Sequence, residues 1–594
     1  MMRETLQALP PRDTLAWRWL LRAATLLPWF LAVAVLQWPF RDVPFWGDSL
    51  GYMIRNTHWM LEHGSLFHPP DHDPAHPPLG FLTLGTAWAL FGRSLLVSHA
   101  VQWFWTAVLL AGVARLVRTA ARRSRVFPYV AAAFVIAHPV FFSSAMQLTP
   151  DVAMTGLYAW MVAFFYERNR RGYMALLCLL LFSKANAWPL VAVFGAAEFL
   201  VLPGVALWRV RHQPRKRRAV ARWWVTWTNA SLLGGAPLLV WLLVHRWHQG
   251  FWFTSPIFET SFDANFDPGF LARTFGEQTR LLLWHREGNR ELAAMGAAFG
   301  VAAGALLVWR GRSHGESYRR LCSGRDHGPC LRPPAALLAS FAMQAAVLVV
   351  LYTAKDIRLL RFFLPVMLML IVAVVVAMAF AVQVAQAVAA REPVRGRLLH
   401  LTMRIAAAAG IVLTLGHLAI RWNPARADAI PLLPGFVRDN LRNECVLGYE
   451  HNAQILPVLE INRWALNDIA WMWNHEGGNG VIVAMYPFDK ALEFPEAGFV
   501  ATPVPSTNFF EFDKFSAGPW DYYVHSPLNF MWDGLSDAQL RRLGARGPVK
   551  TYSAPNVSWD YSVTLYERSL PARLDDERRA ADDADDSETK PDGE

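Results

Sequence analysis

Long apolar runs separated by short clusters of Lys and Arg decide what this chain can fold into. A helix needs roughly 20 apolar residues to cross a hydrocarbon core about 30 Å thick, and inside lipid its backbone polar groups must bond to one another. The first run, residues 15–40, follows Arg3, Arg12, Arg18 and Arg22 and has no small-residue cleavage site after it. It predicts an uncleaved first span that enters from the cytoplasm. After a polar stretch at 41–77, the apolar segment 79–91 is too short to cross comfortably and predicts a surface or re-entrant helix. The next full run, 95–117, ends in Arg118, Arg122, Arg123 and Arg125, which belong in the cytoplasm and make residues 41–94 an external loop.

The same alternation continues along the chain. Basic clusters at 168–171, 209–222, 310–332 and 391–404 alternate with external connections near 149–151, 184–188, 247–290 and 353–361. With a last span at 405–420, the expectation is a polytopic α-helical membrane protein of about eleven transmembrane helices. Its N-terminus is cytoplasmic and everything after Arg421 is external, as in a multi-pass protein of a bacterial inner membrane.

Composition fits this reading. Hydrophobic residues make up 54% of the 594, and the mean hydropathy of +0.20 exceeds what globular cores alone absorb. The 27 tryptophans suit the headgroup zone, where an indole has one apolar and one wet edge. The net charge of +10 sits in the short clusters between spans, so it reads as a topology signal and argues against nucleic acid as a partner. The predicted topology separates Cys178 and Cys445 from Cys322 and Cys330, so no disulfide framework is implied. Cys322 and Cys330, with His314 and His327, match no standard zinc spacing and read as part of a basic loop.

Three domains are expected: a transmembrane body over 1–420, a soluble extracytoplasmic α/β domain over 421–572 and an acidic, disordered tail over 573–594. Strand candidates in the second lie at 446–449, 481–486, 522–525 and 563–566. No Walker lysine loop or G-x-G-x-x-G occurs, so neither a nucleotide cofactor nor a nucleotide-sugar donor has a signature here.

Chemistry-bearing residues gather in the external segments. Asp48 opens the first loop, and on a helix closed by Gly64 the residues Tyr52, Arg55 and Asn56 share its face. Asp48 suits either a helix N-cap or a general base. His68, Asp71, His72, Asp73 and His76 crowd metal-ligating side chains into one loop, but its prolines equally suit a stiff connector. No cofactor is required, and a divalent metal remains an option at that loop. Asp151 heads the fourth span, where an N-cap is the simple explanation, and Lys184 reads alone as a snorkelling interface lysine. Lys355, Arg358 and Arg361 crown an external turn against the positive-inside bias, and phosphate binding is a natural reason. Glu198, near the middle of a span, must face the bundle, as a bonded structural glutamate or a proton relay.

Taken in order, these residues resemble the GT-C superfamily of membrane glycosyltransferases, in the branch of protein O-mannosyltransferases and lipid A aminoarabinose transferases. The resemblance is carried by Asp48-x-x-x-Tyr52, His76-Pro77-Pro78-Leu79-Gly80, Thr149-Pro150-Asp151, Leu181-Phe182-Ser183-Lys184 and Arg361-Phe362-Phe363-Leu364-Pro365. The chain departs from that branch at Ser49, where a second acidic residue is common, and at His76, where the aminoarabinose enzymes carry lysine. The resemblance implies a GT-C-like fold and transfer of a sugar, with inversion, from a polyprenyl-phosphate donor to an acceptor hydroxyl on a protein, lipid or glycan of the cell envelope. It further implies Asp48 as base, Asp151 as an orienting group for acceptor or sugar, and Lys184, Arg358 and Arg361 as holders of the donor phosphate. Two rival readings stand beside it. One is a transporter or flippase of a lipid-linked saccharide, which wants paired ionisable residues at mid-membrane; the other is a non-catalytic envelope-assembly scaffold.

Overall fold

The computed structural model describes residues 25–38, 41, 53–67, 76–121, 124–252, 267–279, 289–313, 333–354, 360–389 and 394–421, and four strand segments between 482 and 568. Six helices among the described residues are long and apolar enough to cross a membrane: Leu95–Ala120, Ala187–Trp208, Pro214–Gln249, Ala336–Ala354, Leu364–Gln386 and Gly396–Gly416. The protein is a multi-pass helical membrane protein. Shorter apolar helices occur at Leu27–Gln37, Leu79–Phe91, Phe127–Ala137 and Leu292–Ala302.

Several expected spans are shorter or more broken than their hydropathy suggests. In chain order we label α1 Leu27–Gln37, α2 Arg55–His63, α3 Leu79–Phe91, α4 Leu95–Ala120, α5 Phe127–Ala137, α6 Pro139–Ala145, α7 Pro150–Tyr166 and α8 Arg170–Leu181. The expected third span is divided at His138 and Pro139, because proline cannot donate the bond that would continue α5. Helix α8 has 12 residues, about 18 Å at 1.5 Å rise each, and stops short of a full bilayer core. Helix α9, Ala187–Gly195, runs through a π turn at Ala196–Val201 into α10, Leu202–Arg209. The series continues with α11 Pro214–Gln249, α12 Pro268–Thr279, α13 Asn289–Ser313, α14 Pro333–Ala354, α15 Leu364–Ala389 and α16 Arg395–Arg421.

Burial separates the centre of the bundle from its periphery. In α4 and α15, 78% and 72% of the membrane-length window is buried, against 28% in α11 and 11% in α16. Apolar faces that no protein covers, such as Leu232, Leu239 and Leu243 of α11, suit lipid. Helices α4 and α7 pack against each other through small residues. A Cβ on Gly156 would lie 2.9 Å from the Leu109 backbone, and one on Gly112 would lie 2.6 Å from Trp160. Caps fix the ends: Ser94 accepts from the Val97 amide at 3.1 Å, and Asn169 from Gly172. Gly64, at φ 61°, closes α2 as expected.

The surface helix predicted at 79–91 is present, with its first amide, Leu79, donating to the Phe182 carbonyl at 3.1 Å. This bond ties the head of α3 to the end of α8. Strands β1 Ile482–Ala484, β2 Tyr522–His525, β3 Ala545–Ser553 and β4 Ser562–Arg568 form one sheet in the order β1-β2-β4-β3. Three of them fall on predicted strand positions, and the candidate at 446–449 lies outside the described residues, as does the tail at 573–594. The sequence does not announce β3, because Pro548 interrupts its apolar pattern; the structure places it at a sheet edge with register shifts on both sides of Pro548.

Candidate functional site

Asp151 is the second residue of α7, after the N-cap Thr149 and Pro150 at N1. Both the simple N-cap reading of Asp151 and the snorkelling reading of Lys184 give way here. The Lys184 ammonium donates to both carboxylate oxygens of Asp151, at 2.7 and 2.8 Å. The two side chains are 5% and 1% exposed, so neither charge is shared with bulk water. Lys184 occupies the break between α8 and α9, a turn in which the Ser183 hydroxyl donates to the Leu180 carbonyl at 2.6 Å. Buried ions need a partner in such a place, and each supplies the other.

Other elements converge on this pair. The 3-10 turn Leu360–Phe363 brings the Phe362 ring to 4.5 Å from the Lys184 Nζ, a cation–π contact. Phe363 meets Tyr352 of α14 edge to face, with centroids 5.0 Å apart, and Tyr352 is within electrostatic reach of the Asp151 carboxylate. Pro150 and Ser183, the chain neighbours of the pair, line a small cavity together with Met53, Leu79, Gly80 and Gln102 among others. Gln102 Nε2, on its wall, donates to the Ser144 carbonyl at 3.1 Å. The motifs around residues 76–80, 149–151, 181–184 and 361–365 are thus neighbours in space.

The remaining predicted site residues are placed unevenly. Arg55 is the first residue of α2 and Arg361 belongs to the 3-10 turn beside Phe362, both as backbone positions. His76 lines a cleft beside Trp188. Asp48, Tyr52, Lys355, Arg358, His68, Asp71, His72 and Asp73 lie outside the described residues. Among the described residues no group of three or more His, Cys, Asp and Glu converges as metal ligands would. Phe362 entered the sequence reading only as part of the Arg361-to-Pro365 motif, and its contact with Lys184 was missed because an aromatic in an apolar run carries no mark of the cation it faces.

Glu198 sits in the π turn and accepts a hydrogen bond from the Tyr166 hydroxyl at 2.6 Å. Nearby, the Tyr158 hydroxyl donates to Gln344 Oε1 at 2.6 Å and Gln344 Nε2 donates to Ser340 Oγ at 2.8 Å. These bonds pin α7 and the π turn to α14 and give Glu198 the structural partner its position requires. At the opposite end of α7, Arg115 forms a two-pronged pair with Glu167 at 2.9 and 2.6 Å, and Thr119 adds a bond at 2.9 Å.

No protein-family model and no curated protein matches the chain. Among solved structures it is similar to the crystal structure of ArnT from Cupriavidus metallidurans bound to undecaprenyl phosphate, with a TM-score of 0.47 and 16% identity over 93% of this chain and 99% of that one. It is also similar to the same protein in the apo state, with a TM-score of 0.49 and 14% identity over the same shares.

Proposed function

We propose that the chain is a membrane glycosyltransferase that moves a sugar from a polyprenyl-phosphate donor to an acceptor hydroxyl at the extracytoplasmic membrane surface. One observation carries this reading: four sequence segments of the GT-C resemblance, far apart in the chain, meet around the buried Asp151–Lys184 pair. A stability device needs only two partners, whereas a junction of the surface helix α3, the head of α7, the α8–α9 break and the 3-10 turn makes a site. The extracytoplasmic placement rests on the alternation of basic clusters along the sequence.

In the proposed reaction the Asp48 carboxylate takes the proton of the acceptor hydroxyl. The acceptor oxygen bonds to the anomeric carbon as the bond from that carbon to the phosphate oxygen breaks, and the electron pair leaves with the polyprenyl phosphate. The charge growing on that phosphate calls for fixed cations more than for a proton donor. Arg358, Arg361, Lys355 and Lys184 supply them in this reading. Because Asp151 already engages Lys184, we assign Asp151 to hold that ammonium in place, which adds to the orienting role implied by resemblance. The transporter reading gains nothing from Glu198, which is bonded within the helix packing. Transfer assays in vesicles carrying polyprenyl-phosphate sugars test the proposal: Asp48→Asn lowers the rate about 10²–10⁴-fold with folding intact, and full activity in that variant removes Asp48 as base.

A further inference from the structure

Helix α11 is longer than a membrane crossing requires. Its 36 residues reach about 54 Å, against a hydrocarbon core of about 30 Å, and its first turns are basic. Seven cations fall within residues 209–222, and no Asp or Glu occurs between Glu198 and Glu259. Arg215, Lys216, Arg217, Arg218 and Arg222 are exposed, and among the described residues none of them forms an ion pair. Trp223 and Trp224 follow at once, and tryptophans of a span favour the headgroup depth. Trp224 Nε1 donates to the Phe199 carbonyl at 2.7 Å, which fixes this level of α11 against the π turn.

One face of α11 packs on the bundle. Val220, Ala230 and Gly234 are buried there, the Ser231 and Tyr173 hydroxyls hydrogen-bond at 2.8 Å, and a Cβ on Gly234 would lie 3.1 Å from the Met174 carbonyl of α8. At 3.6 residues per turn the opposite face carries Arg215, Arg218 and Arg222, then Val225, Leu232 and Leu233. The three apolar side chains are 50%, 68% and 57% exposed. Down this one strip the order is guanidinium groups above the tryptophan level and bare aliphatic side chains below it. A phospholipid has the matching order, a phosphate and then acyl chains. A soluble anion or an acidic protein matches only the upper half, because the lower half lies at hydrocarbon depth.

We infer that the Arg215, Arg218 and Arg222 face of α11 binds an anionic phospholipid, with its phosphate on the guanidinium groups and its acyl chains along Val225, Leu232 and Leu233. Guanidinium suits this ligand, since its fork of donors matches phosphate oxygens in pairs. A zwitterionic lipid gains less, because its own cation opposes the three arginines. By the charge rule this end of α11 faces the cytoplasm, across the membrane from the sugar transfer proposed above, so the inference does not depend on that reading.

The test places the full chain in nanodiscs of phosphatidylcholine with a minority of phosphatidylglycerol, and native mass spectrometry reads which lipids stay bound on release. The unaltered protein retains phosphatidylglycerol well above its share of the bilayer. Replacing Arg215, Arg218 and Arg222 together by Gln lowers that preference about a hundredfold, since each near-surface cation is worth about fivefold. Replacing Arg211, Lys216 and Arg217 by Gln removes the same charge away from the strip and loses far less, and Lys at positions 215, 218 and 222 keeps most of the preference. Each triple variant leaves four of the seven cations to hold the orientation. Equal losses in the two Gln variants assign the effect to diffuse surface charge and overturn the inference, as does an unaltered protein that holds the two lipids in proportion to the bilayer. Excess inorganic phosphate leaves the lipid bound, and displacement by it makes the cations a free-anion site and overturns the inference too. Should the triple variant fail to assemble, Arg222→Gln alone decides: a loss of about fivefold supports the site, and no loss refutes it.

Discussion

Replacing Lys184 by methionine keeps the length of the side chain and removes its charge, leaving the Asp151 carboxylate 1% exposed with no ammonium at 2.7 Å. At an effective dielectric of about 20 the attraction at that distance is about 6 kcal/mol, and desolvation of each ion offsets several kcal/mol of it. The intact pair therefore contributes little net stability, while the single variant keeps the cost of a buried charge without the attraction. We expect Lys184→Met to lose about 3–5 kcal/mol. Combining it with Asp151→Leu removes both charges and recovers most of that loss. Denaturant unfolding in mixed micelles, followed by tryptophan fluorescence, measures both, and vesicle transfer assays run beside it. Activity stays lost in the double variant although stability returns, because the missing cation belongs to the reaction as well as to the fold. Two results refute the reasoning: a single-variant cost below about 1 kcal/mol, which denies the burial, or wild-type transfer by the double variant, which makes the pair purely structural.

Other expectations follow from particular contacts. Arg361→Ala raises the KM for the donor far more than that for the acceptor, and an unchanged donor dependence in initial-rate kinetics removes it from the phosphate site. Gly156→Ala drives a methyl against the Leu109 backbone at 2.9 Å and destabilises the α4–α7 contact by about 1–3 kcal/mol, whereas Gly204→Ala, with open space around it, does not. Glu198→Leu leaves the Tyr166 hydroxyl without its acceptor and costs about 1–3 kcal/mol, while Glu198→Gln keeps a bond and retains transfer activity. Loss of transfer in Glu198→Gln with stability intact would instead mark a proton relay.

Apolar run length and the placement of Lys and Arg are one-dimensional properties, and they were enough to indicate a multi-pass helical chain and the short helix α3, while a glycine alone marked the α2 stop at Gly64. Hydropathy does not report where a helix breaks inside an apolar run. It therefore passed over the interruption at Pro139, the π turn at Ala196–Val201 and the 12-residue length of α8. Asp151 and Lys184 each stood out as a charge beside a span, and each alone had a bland explanation. Their bond depends on α7 and α8 lying antiparallel with a particular length and rotation, across 33 positions of sequence. Phe362 stood in the sequence only as part of a motif, with nothing to mark its contact with Lys184, because an aromatic ring means the same thing to lipid, core and ligand until its neighbours are known. Sequence determined that the chain crosses a membrane and which charged residues needed explaining. Tertiary structure decided which of them face each other, since that follows from helix packing, and packing is fixed by contacts between residues that the chain itself holds far apart.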